Sequence, residues 1–521
     1  MLKQTVKINF TIFILIFLFL TCSASAQVAT VNLQHQVYPL LQKAETLQLF
    51  SSYSLRLLPL SRSQIRLILW EINEKKDQLS PADAQLAHQM LQEFSDPEPD
   101  VALTRDHDRH IYRLSEGETQ FFFDLFGDQN FAFRRSDFGL KDNEISETTM
   151  GGELRGMFGR RLGFGAHAFN TMIRGANSQE QFDVNSGKIS VQVGESAFTD
   201  QATGYLAGKF GRFHFLAGRD YLSWGSGLDD RLALGLSTQP MDLIRLNLDF
   251  RKLRFSYFHA NLSGVATQRY LIGHRLDFLL SKRVQLALYE TLVYGNRDRE
   301  WSYLNPILPY HVMEHQLGDL DNNMLGGDLS LFLHPGLRAF LEIFVDDFSS
   351  DFALGTHWGN KIAIHSGFHW AAPFHFSEFE VKGTYTRIDP WFYTHNDSAN
   401  VYSHYGESLG SKLGPNADRV RFRLYYQPHR DSRWELRYAF VRKGRGTITD
   451  QHTYEDDGRF KKFLHGTVEK NSEFGLGLRQ QFIRDLFLGF DLTFRKWHNY
   501  ALEKNRNGVE RFGQFYLRFN Y

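Results

Sequence analysis

Two pairs of histidines stand four residues apart, a spacing that can hold a metal ion on one face of a helix. His311 and His315 form the first pair, and His365 and His369 form the second. Neither first histidine is followed by the glutamate that the H-E-x-x-H zinc motif requires. In an extended strand, where each residue advances about 3.3 Å, the second pair would stand roughly 13 Å apart. We therefore expect no metal site, no cofactor and no catalytic residue.

Aromatic side chains collect in two polar segments of the C-terminal half, together with histidines and a lysine. Polysaccharides are bound by aromatic rings that lie against sugar faces and by polar groups that bond to hydroxyls. The candidate glycan-binding residues are Trp391, Tyr393, Tyr402, Tyr405, Lys496, Trp497 and Tyr500. Tyrosine and tryptophan also form the aromatic belts of membrane proteins, and that structural alternative stays open.

These segments separate stretches in which apolar and polar residues alternate from about residue 119 onward. Between residues 420 and 426, for example, Val420, Phe422 and Leu424 alternate with Arg421 and Arg423. Such alternation predicts β-strands, but a soluble sandwich and a membrane barrel both show it. In a membrane barrel the apolar face meets lipid and the polar face lines the lumen.

The lengths of the connections distinguish the two folds, because short and long connections alternate along the chain. Short ones stand at Arg160-Arg161, Arg251-Lys252, Ser281–Arg283, His334–Gly336, Ala372–His375, Pro428–Ser432 and Ile483–Asp485. Long ones cover about 137–150, 175–201, 220–241, 295–323, 347–359, 388–418, 443–472 and 496–511, with a shorter member at 261–267. Short turns on one side and long loops on the other are typical of outer-membrane barrels. We predict a mainly β fold, a large antiparallel transmembrane barrel of about 18 strands over 101–521.

Charged side chains occur on the predicted lumen side, and a glycine-rich segment at 220–241 can fold inward. The candidate lumen or constriction residues are Arg219, Asp220, Trp224, Arg421 and Arg423. Two explanations remain open for the arginines. They can form ion pairs that cross-link the wall, or they can attract an anionic glycan, since arginine grips carboxylates with two parallel bonds.

The N-terminal part has a different organisation. A basic start and an apolar run over 10–20 precede small residues, which predicts a signal peptide over 1–26 cleaved between Ala26 and Gln27. Helical periodicity follows, with a capping box at Ser61 and Gln64, and predicts a small α-helical bundle within 27–100. Because an even strand count leaves both barrel ends at the short turns, we expect this bundle on the periplasmic side and the long loops outside the cell.

Composition excludes several function classes. Lysine plus arginine and aspartate plus glutamate both number 59, so the chain lacks the basic excess typical of nucleic-acid partners. The single cysteine, Cys22, excludes a disulfide framework and any site built from several thiolates. A mean hydropathy of −0.37 is compatible with a barrel, because lipid-facing residues are averaged with a polar lumen and polar loops.

Fragments spread over roughly 37–521 resemble the Wzi-type capsule assembly proteins, which are outer-membrane barrels with an N-terminal helical bundle. The fragments are Val37–Leu41, Leu58–Arg62, Glu93-Phe94, Gly218–Asp220, Trp224–Gly227, Leu236-Ser237, Leu304–Pro306, Asp321–Asn323, Asp328, Glu342, Asp346-Asp347, Tyr385–Arg387 and Leu413–Asp418. The resemblance implies a non-enzymatic, lectin-like protein that binds capsular or related surface polysaccharide and helps to attach it to the cell surface of a Gram-negative bacterium. Its partners would be the polysaccharide, outer-membrane lipid, and capsule-export or other envelope components. The alternatives are a diffusion porin or transporter of small solutes and, less favoured, a hydrolase acting at the barrel rim.

Overall fold

A computed structural model describes residues 27–95, 110–139, 142–175, 189–264, 268–347, 357–483 and 485–520. The predicted signal peptide over 1–26, including Ala26, lies outside the described residues. Gln27 is described and is buried, and its carbonyl accepts a hydrogen bond from Ser63 N.

Three helices pack together before the first long strand: α1 Val37–Thr46, α2 Arg62–Asn73 and α3 Pro81–Phe94. The capping box predicted at Ser61 and Gln64 is confirmed at the start of α2. The apolar faces of the helices meet in one buried cluster that includes Leu41, Ile68 and Phe94. Among the described residues, every helix is too short or too polar to cross a bilayer.

The rest of the described chain forms a closed antiparallel barrel of 18 strands, which confirms the predicted fold class. The strands are β1 Thr119–Ser136, β2 Asn143–Phe158, β3 Leu162–Arg174, β4 Ser196–Phe210, β5 Phe213–Asp220, β6 Met241–Asp249, β7 Leu253–Asn261, β8 Arg269–Leu279, β9 Val284–Gly295, β10 Asn322–His334, β11 Leu337–Asp347, β12 Lys361–Ala371, β13 Phe379–Ile388, β14 Ala417–His429, β15 Ser432–Lys443, β16 Glu469–Ile483, β17 Leu486–His498 and β18 Gly508–Asn520. Strand β18 pairs with β1 and closes the wall.

Smaller elements decorate this wall. Short strands lie at Leu57–Leu58, Tyr112–Glu116, Ile189–Val193, Ser223–Trp224, Ser403–His404 and Glu407–Ser408. The described residues of the long loops contain two further helices, α4 at Tyr310–Leu317 and α5 at Tyr454–Asp457. Connections alternate between tight turns, as at Gly336 between β10 and β11, and long loops, as at 389–416 between β13 and β14.

Side chains on each strand alternate between the two faces of the wall. In β14 the side chains of Phe422 and Leu424 are exposed on the outer face, whereas Arg421 points inward and bonds to Asp229. Outer-face leucine and phenylalanine recur around the barrel, for example at Phe474, which is 52% exposed. This band is the surface that lipid would cover, since a lipid-exposed wall must be apolar and its backbone fully paired.

The lumen is occupied by three segments of the chain. The helical bundle enters at the short-turn end, where Glu45 of α1 bonds to Arg338 of β11 beside the turn at Gly336. The 221–240 loop folds down from the other end, and its Ser223–Trp224 strand pairs with Leu57–Leu58 of the bundle region. The 389–416 loop follows it inward, since Leu409 O accepts a hydrogen bond from Gly235 N.

Candidate functional site

Four aromatic rings from three long loops meet on the long-loop side of the barrel. The ring of His452 stacks on Trp358, with centroids 4.0 Å apart and planes 2° from parallel. Trp391 meets the edge of His452 at 4.8 Å, and Tyr454 lies perpendicular to Trp358 at 5.9 Å. We call Trp358, Trp391, His452 and Tyr454 the aromatic platform. Tyr454 is 64% exposed and the other three are partly exposed, so the platform presents ring surface to solvent.

Hydrogen bonds and a strained backbone fix these rings. Trp358 Nε1 donates to the hydroxyl oxygen of Tyr454 at 3.1 Å, and His452 Nε2 bonds to the carbonyl of Gly458 at 2.8 Å. Trp391 has a φ of 58°, a left-handed conformation that bulky residues seldom adopt. Strain of this kind persists only where surrounding contacts over-determine it, and it is enriched at binding sites. Of the four platform residues, only Trp391 is a sugar-binding residue predicted from the sequence.

The base of the platform is tied together by a buried cation. Lys461, from the 444–468 loop, bonds to the carboxylate of Asp389 and to the carbonyl of Asn360. The three residues come from the three loops that carry the rings. The platform therefore has a shared and rigid floor, which lowers the entropy lost on binding a ligand.

The predicted tyrosines of the 389–416 loop lie deeper. Tyr393 and Tyr402 are fully buried, and their hydroxyls donate to the carbonyls of Leu232 and Ala233 at 2.6 and 3.0 Å. Tyr405 is partly exposed and accepts a hydrogen bond from Arg219. Tyr393 and Tyr402 thus fasten two inward loops to each other, and contact between these tyrosines and a glycan stays a prediction.

The predicted C-terminal residues divide between the two faces of β17. Trp497 points inward, donates to Glu510 at 3.0 Å, and meets the edge of Tyr500 at 5.0 Å. Lys496 is exposed on the opposite face, so the side chains of Lys496 and Trp497 do not share a surface. Trp497 and Tyr500 form a second, smaller aromatic patch with Phe138, whose ring lies 5.2 Å from that of Tyr500.

The predicted lumen arginines have carboxylate partners inside the barrel. Arg421 bonds to Asp229 of the inward loop at 2.6 Å, and Arg423 lies 3.4 Å from Glu435 on the neighbouring strand. Burial acts to raise the pKa of Asp229, but Arg421 and Arg423 outweigh it and hold that pKa well below its ordinary value. The carboxylate therefore stays ionised, and the ion pair ties loop to wall.

The other predicted lumen residues also join segments. Asp220 accepts a hydrogen bond from Thr30 Oγ1 at 3.1 Å, which links β5 to the chain entering the bundle. Trp224 is buried and meets the edge of Phe258 on β7 at 4.9 Å. Arg219 contacts Asp242 as well as Tyr405. These contacts supply a structural role, and a role in ligand binding stays a prediction.

Comparison with known proteins identifies the fold and the family. Residues 150–509 match the family model described as capsule assembly protein Wzi. The chain belongs to the Wzi family. Among solved structures, an Escherichia coli protein described as Wzi, an outer-membrane protein involved in group 1 capsule assembly and a carbohydrate-binding β-barrel, matches with a TM-score of 0.60 and 13% identity, over 94% of this chain and 99% of that chain.

Two further solved structures give weaker similarity. OccAB1 of Acinetobacter baumannii matches with a TM-score of 0.47 and 10% identity, over 77% of this chain and 96% of that chain. OpdO of Pseudomonas aeruginosa matches with a TM-score of 0.45 and 13% identity, over 77% and 97% of the two chains. A search of curated proteins finds no significant sequence match. Membership of the Wzi family places the barrel in the Gram-negative outer membrane.

The two histidine pairs of this Wzi-family barrel differ in their surroundings. His369 is buried and bonds to Thr46 of α1 and Glu380 of β13. His311 and His315 lie side by side on α4 with ring centroids 4.3 Å apart, while Glu314 between them is buried. Within the described parts of the chain, no three histidine, cysteine, aspartate or glutamate side chains are grouped as metal ligands.

One further match to an enzyme motif lies in the 389–416 loop. Residues 406–410 read Gly-Glu-Ser-Leu-Gly, the Gly-x-Ser-x-Gly pattern of serine hydrolases. That motif requires a strand, a sharp turn and a helix around an exposed serine. Here Ser408 is buried in a two-stranded hairpin, and its hydroxyl accepts a hydrogen bond from Gly410 N at 3.2 Å. The Wzi-family chain thus lacks the local fold that would make Ser408 a nucleophile.

Proposed function

We propose that this Wzi-family barrel binds a surface polysaccharide of its own cell and holds it at the cell surface without catalysing a reaction. The aromatic platform is the observation that carries this proposal. Its rings are exposed or partly exposed on the side of the long loops, and a buried lysine ties together the three loops that carry them. A rigid aromatic surface suits the apolar faces of sugar rings, because little conformational entropy is lost when it is covered.

Polar groups around the platform suit sugar hydroxyls. Gln451 Nε2 donates a hydrogen bond to the carbonyl of Asn396 at 2.7 Å, and this bond joins the loop carrying His452 to the loop carrying Trp391. Asn396 and Gln451 are themselves exposed, so their remaining donors and acceptors can meet a ligand. The E. coli Wzi structure, named a carbohydrate-binding β-barrel, has this fold, which supports the proposal.

The contents of the lumen favour polysaccharide binding over free diffusion of solutes. A diffusion porin needs a continuous water path, as in wide barrels with an aqueous channel. In this barrel the bundle and two inward loops bond to one another and to the wall. We therefore expect little steady conductance when the protein is inserted in a planar bilayer, whereas a diffusion porin would give a stable open current.

We also infer the orientation and the division of the chain. Residues 1–26 would direct export, 27–100 would form the periplasmic bundle, and 101–521 would form the barrel. Both ends of the barrel chain lie at the short turns, which are periplasmic in proteins of this kind. The long loops, with the platform, would then face outward, and the periplasmic bundle would be the surface available to export or other envelope components.

The experiment is to delete the gene in its own host and to restore it with defined variants. Wild type should return polysaccharide from the medium to the cell surface. The double variant Trp358→Ala with Trp391→Ala should leave the polysaccharide in the medium, although its barrel is present and shows normal heat-modifiable mobility on gels. Trp70→Ala is the matched control, because Trp70 is an exposed tryptophan on α2. If the deletion leaves the polysaccharide fully attached to cells, the proposed function is wrong.

A further inference from the structure

The loop that joins β9 to β10 folds back over the outside of the barrel. It covers residues 296–321 and contains α4, and we call it the outer cover. Tyr303 and Tyr310 from the outer cover are fully buried against residues of three strands. The cluster consists of Tyr257, Tyr270, Ile272, Leu292, Tyr294, Tyr303 and Tyr310.

The strand residues of this cluster point away from the lumen. On β7, Phe258 packs on Trp224 inside the barrel, so its neighbour Tyr257 points outward. On β9, Tyr289 belongs to the lumen cluster, so Leu288 and Leu292 point outward. Leu288 is 53% exposed there, and Leu292 is covered. The outer cover therefore begins where the lipid-facing band of β9 ends.

A buried carboxylate pins the outer cover to the wall. Glu290 on the outer face of β9 accepts hydrogen bonds from Tyr310 N at 2.9 Å and His311 N at 2.6 Å, at the start of α4. It also lies 3.0 Å from His274 on β8. A carboxylate facing bare hydrocarbon would be costly, and the helix N-terminus satisfies it instead. The carboxylate and α4 thus form a built junction on the outer wall.

The exposed side chains of the outer cover include several large apolar ones. Trp301 is 83% exposed, Ile307 81%, Leu320 63% and Val312 49%. Residues 301–320 contain no lysine or arginine, and the two arginines of the outer cover lie at its start, where Arg297 bonds to Asp321 and Arg299 to Asn261. A surface that recognised lipid phosphates or an acidic polysaccharide would need such cations, so the chemistry fits acyl chains.

We propose that the outer cover is a membrane-interface anchor, with Trp301 and Ile307 inserted among the upper acyl chains of the outer leaflet. The lipid-facing band is continuous with it through Leu288. Tryptophan at the boundary between headgroups and acyl chains is a usual feature of such anchors. The lipid of the membrane around the barrel is the partner that covers the exposed apolar side chains of the outer cover.

The anchor also controls how the sugar-binding side is presented. Asn400 Nδ2 donates to the carbonyl of Leu320 in the outer cover at 2.7 Å, and Asn322 Nδ2, at the start of β10, donates to the carbonyl of Asn400 at 2.9 Å. Asn400 belongs to the 389–416 loop, which carries Trp391. Insertion of the outer cover therefore fixes the height of that loop above the membrane.

Spin labels placed in reconstituted protein test the proposal. The one cysteine of the chain, Cys22, lies in the predicted signal peptide, and Cys22→Ser removes it from any unprocessed protein, which leaves Ile307→Cys as the labelling site. Leu288→Cys is the lipid control, because Leu288 is exposed on the lipid-facing wall. Tyr454→Cys is the water control, because Tyr454 is exposed in a long loop. In phospholipid bilayers, the label at 307 should collide readily with dissolved oxygen and poorly with a water-soluble nickel chelate, as the label at 288 does.

Two results would overturn the proposal. A label at 307 that meets the nickel chelate as freely as the label at 454 would place the loop in water. A label shielded from both reagents would show that protein, such as a second copy of the chain, covers this face. If Ile307→Cys fails to fold, the comparison of wild type with Trp301→Phe replaces it. Brominated lipids should quench wild-type fluorescence more than that of Trp301→Phe, and equal quenching would contradict insertion.

Discussion

The contact between Glu45 and Arg338 holds the bundle in the short-turn end of the barrel. Arg338 Nη1 bonds to Glu45 at 3.1 Å, and Arg338 Nη2 bonds to the carbonyl of Ser226 at 2.7 Å and to Ser330 at 3.0 Å. One guanidinium therefore joins the bundle, an inward loop and the wall. Both charged side chains are at most 4% exposed.

Glu45→Leu would leave the charge of Arg338 buried without its carboxylate. Removing one partner of a buried ion pair costs about 3–5 kcal/mol. If that cost falls on docking of the bundle, the undocked population rises by roughly a hundredfold to a few thousandfold, since 1.4 kcal/mol is a factor of ten. The double variant Glu45→Leu with Arg338→Met removes both charges and should be much closer to wild type, because an apolar pair of similar volume can replace a buried ion pair.

Single-channel recording in planar bilayers measures this directly. Wild type should show rare openings, Glu45→Leu should show far more frequent openings, and the double variant should return towards the wild-type frequency. Heat-modifiable gel mobility checks that each barrel is folded. Equal opening frequencies in wild type and Glu45→Leu, or a double variant that opens more often than the single one, would refute the assigned role of this ion pair.

Three further predictions concern the lumen, the outer cover and the wall. Arg421→Gln with Arg423→Gln should lower the free energy of unfolding by about 1.5–3 kcal/mol, the range for lost hydrogen bonds to charged groups, while binding of an acidic polysaccharide in a pull-down stays unchanged. Weaker binding by a folded variant would instead assign the arginines to the ligand. Burial, aided by nearby acidic groups, raises the pKa of Glu314 from 4.5 to about 8. The protonated carboxyl is therefore favoured in the folded protein, and the stability that Glu314 contributes is complete below about pH 4.5 and is lost as pH rises through 8. Hydrogen exchange of α4, corrected for the intrinsic rate, should accelerate between pH 5 and 9 in wild type and much less in Glu314→Gln, and identical profiles would contradict this. Gly489→Ala should impair folding, measured by gel mobility, because the added Cβ would lie 1.9 Å from the ring of Tyr516. The double variant Gly489→Ala with Tyr516→Ala should fold again, and a double variant that does not fold would show that this clash is not the cause.

Much of the wall could be predicted from local sequence. A strand has a side-chain period of two, so Phe422 and Arg421 reveal opposite faces without any knowledge of distant residues. Turn and loop lengths then distinguish a barrel from a sandwich. The capping box at Ser61 and Gln64 is equally local, because its bonds join residues three apart.

The loops could not be placed in this way, because their positions depend on distant contacts. Tyr393 lies in a long loop, where an exposed tyrosine is expected, yet it is buried and its hydroxyl donates to the carbonyl of Leu232, far away in sequence. Tyr257 alternates as a lipid-facing residue does, and only the folded outer cover buries it. The platform likewise depends on the contact between Trp358 and His452, which are far apart in sequence. The aromatic residues in long polar loops predict a binding surface, but they do not show which rings meet.

Direct binding of polysaccharide by the purified barrel tests the central claim most closely. Polysaccharide isolated from the producing strain would be titrated against immobilised wild type, the Trp358→Ala and Trp391→Ala double variant, and Trp70→Ala. Saturable binding by wild type and Trp70→Ala, lost in the platform variant, is the predicted result. Equal binding by a folded platform variant would move the site elsewhere on the loops, and absence of binding by wild type would contradict the claim that this barrel is a polysaccharide-binding protein.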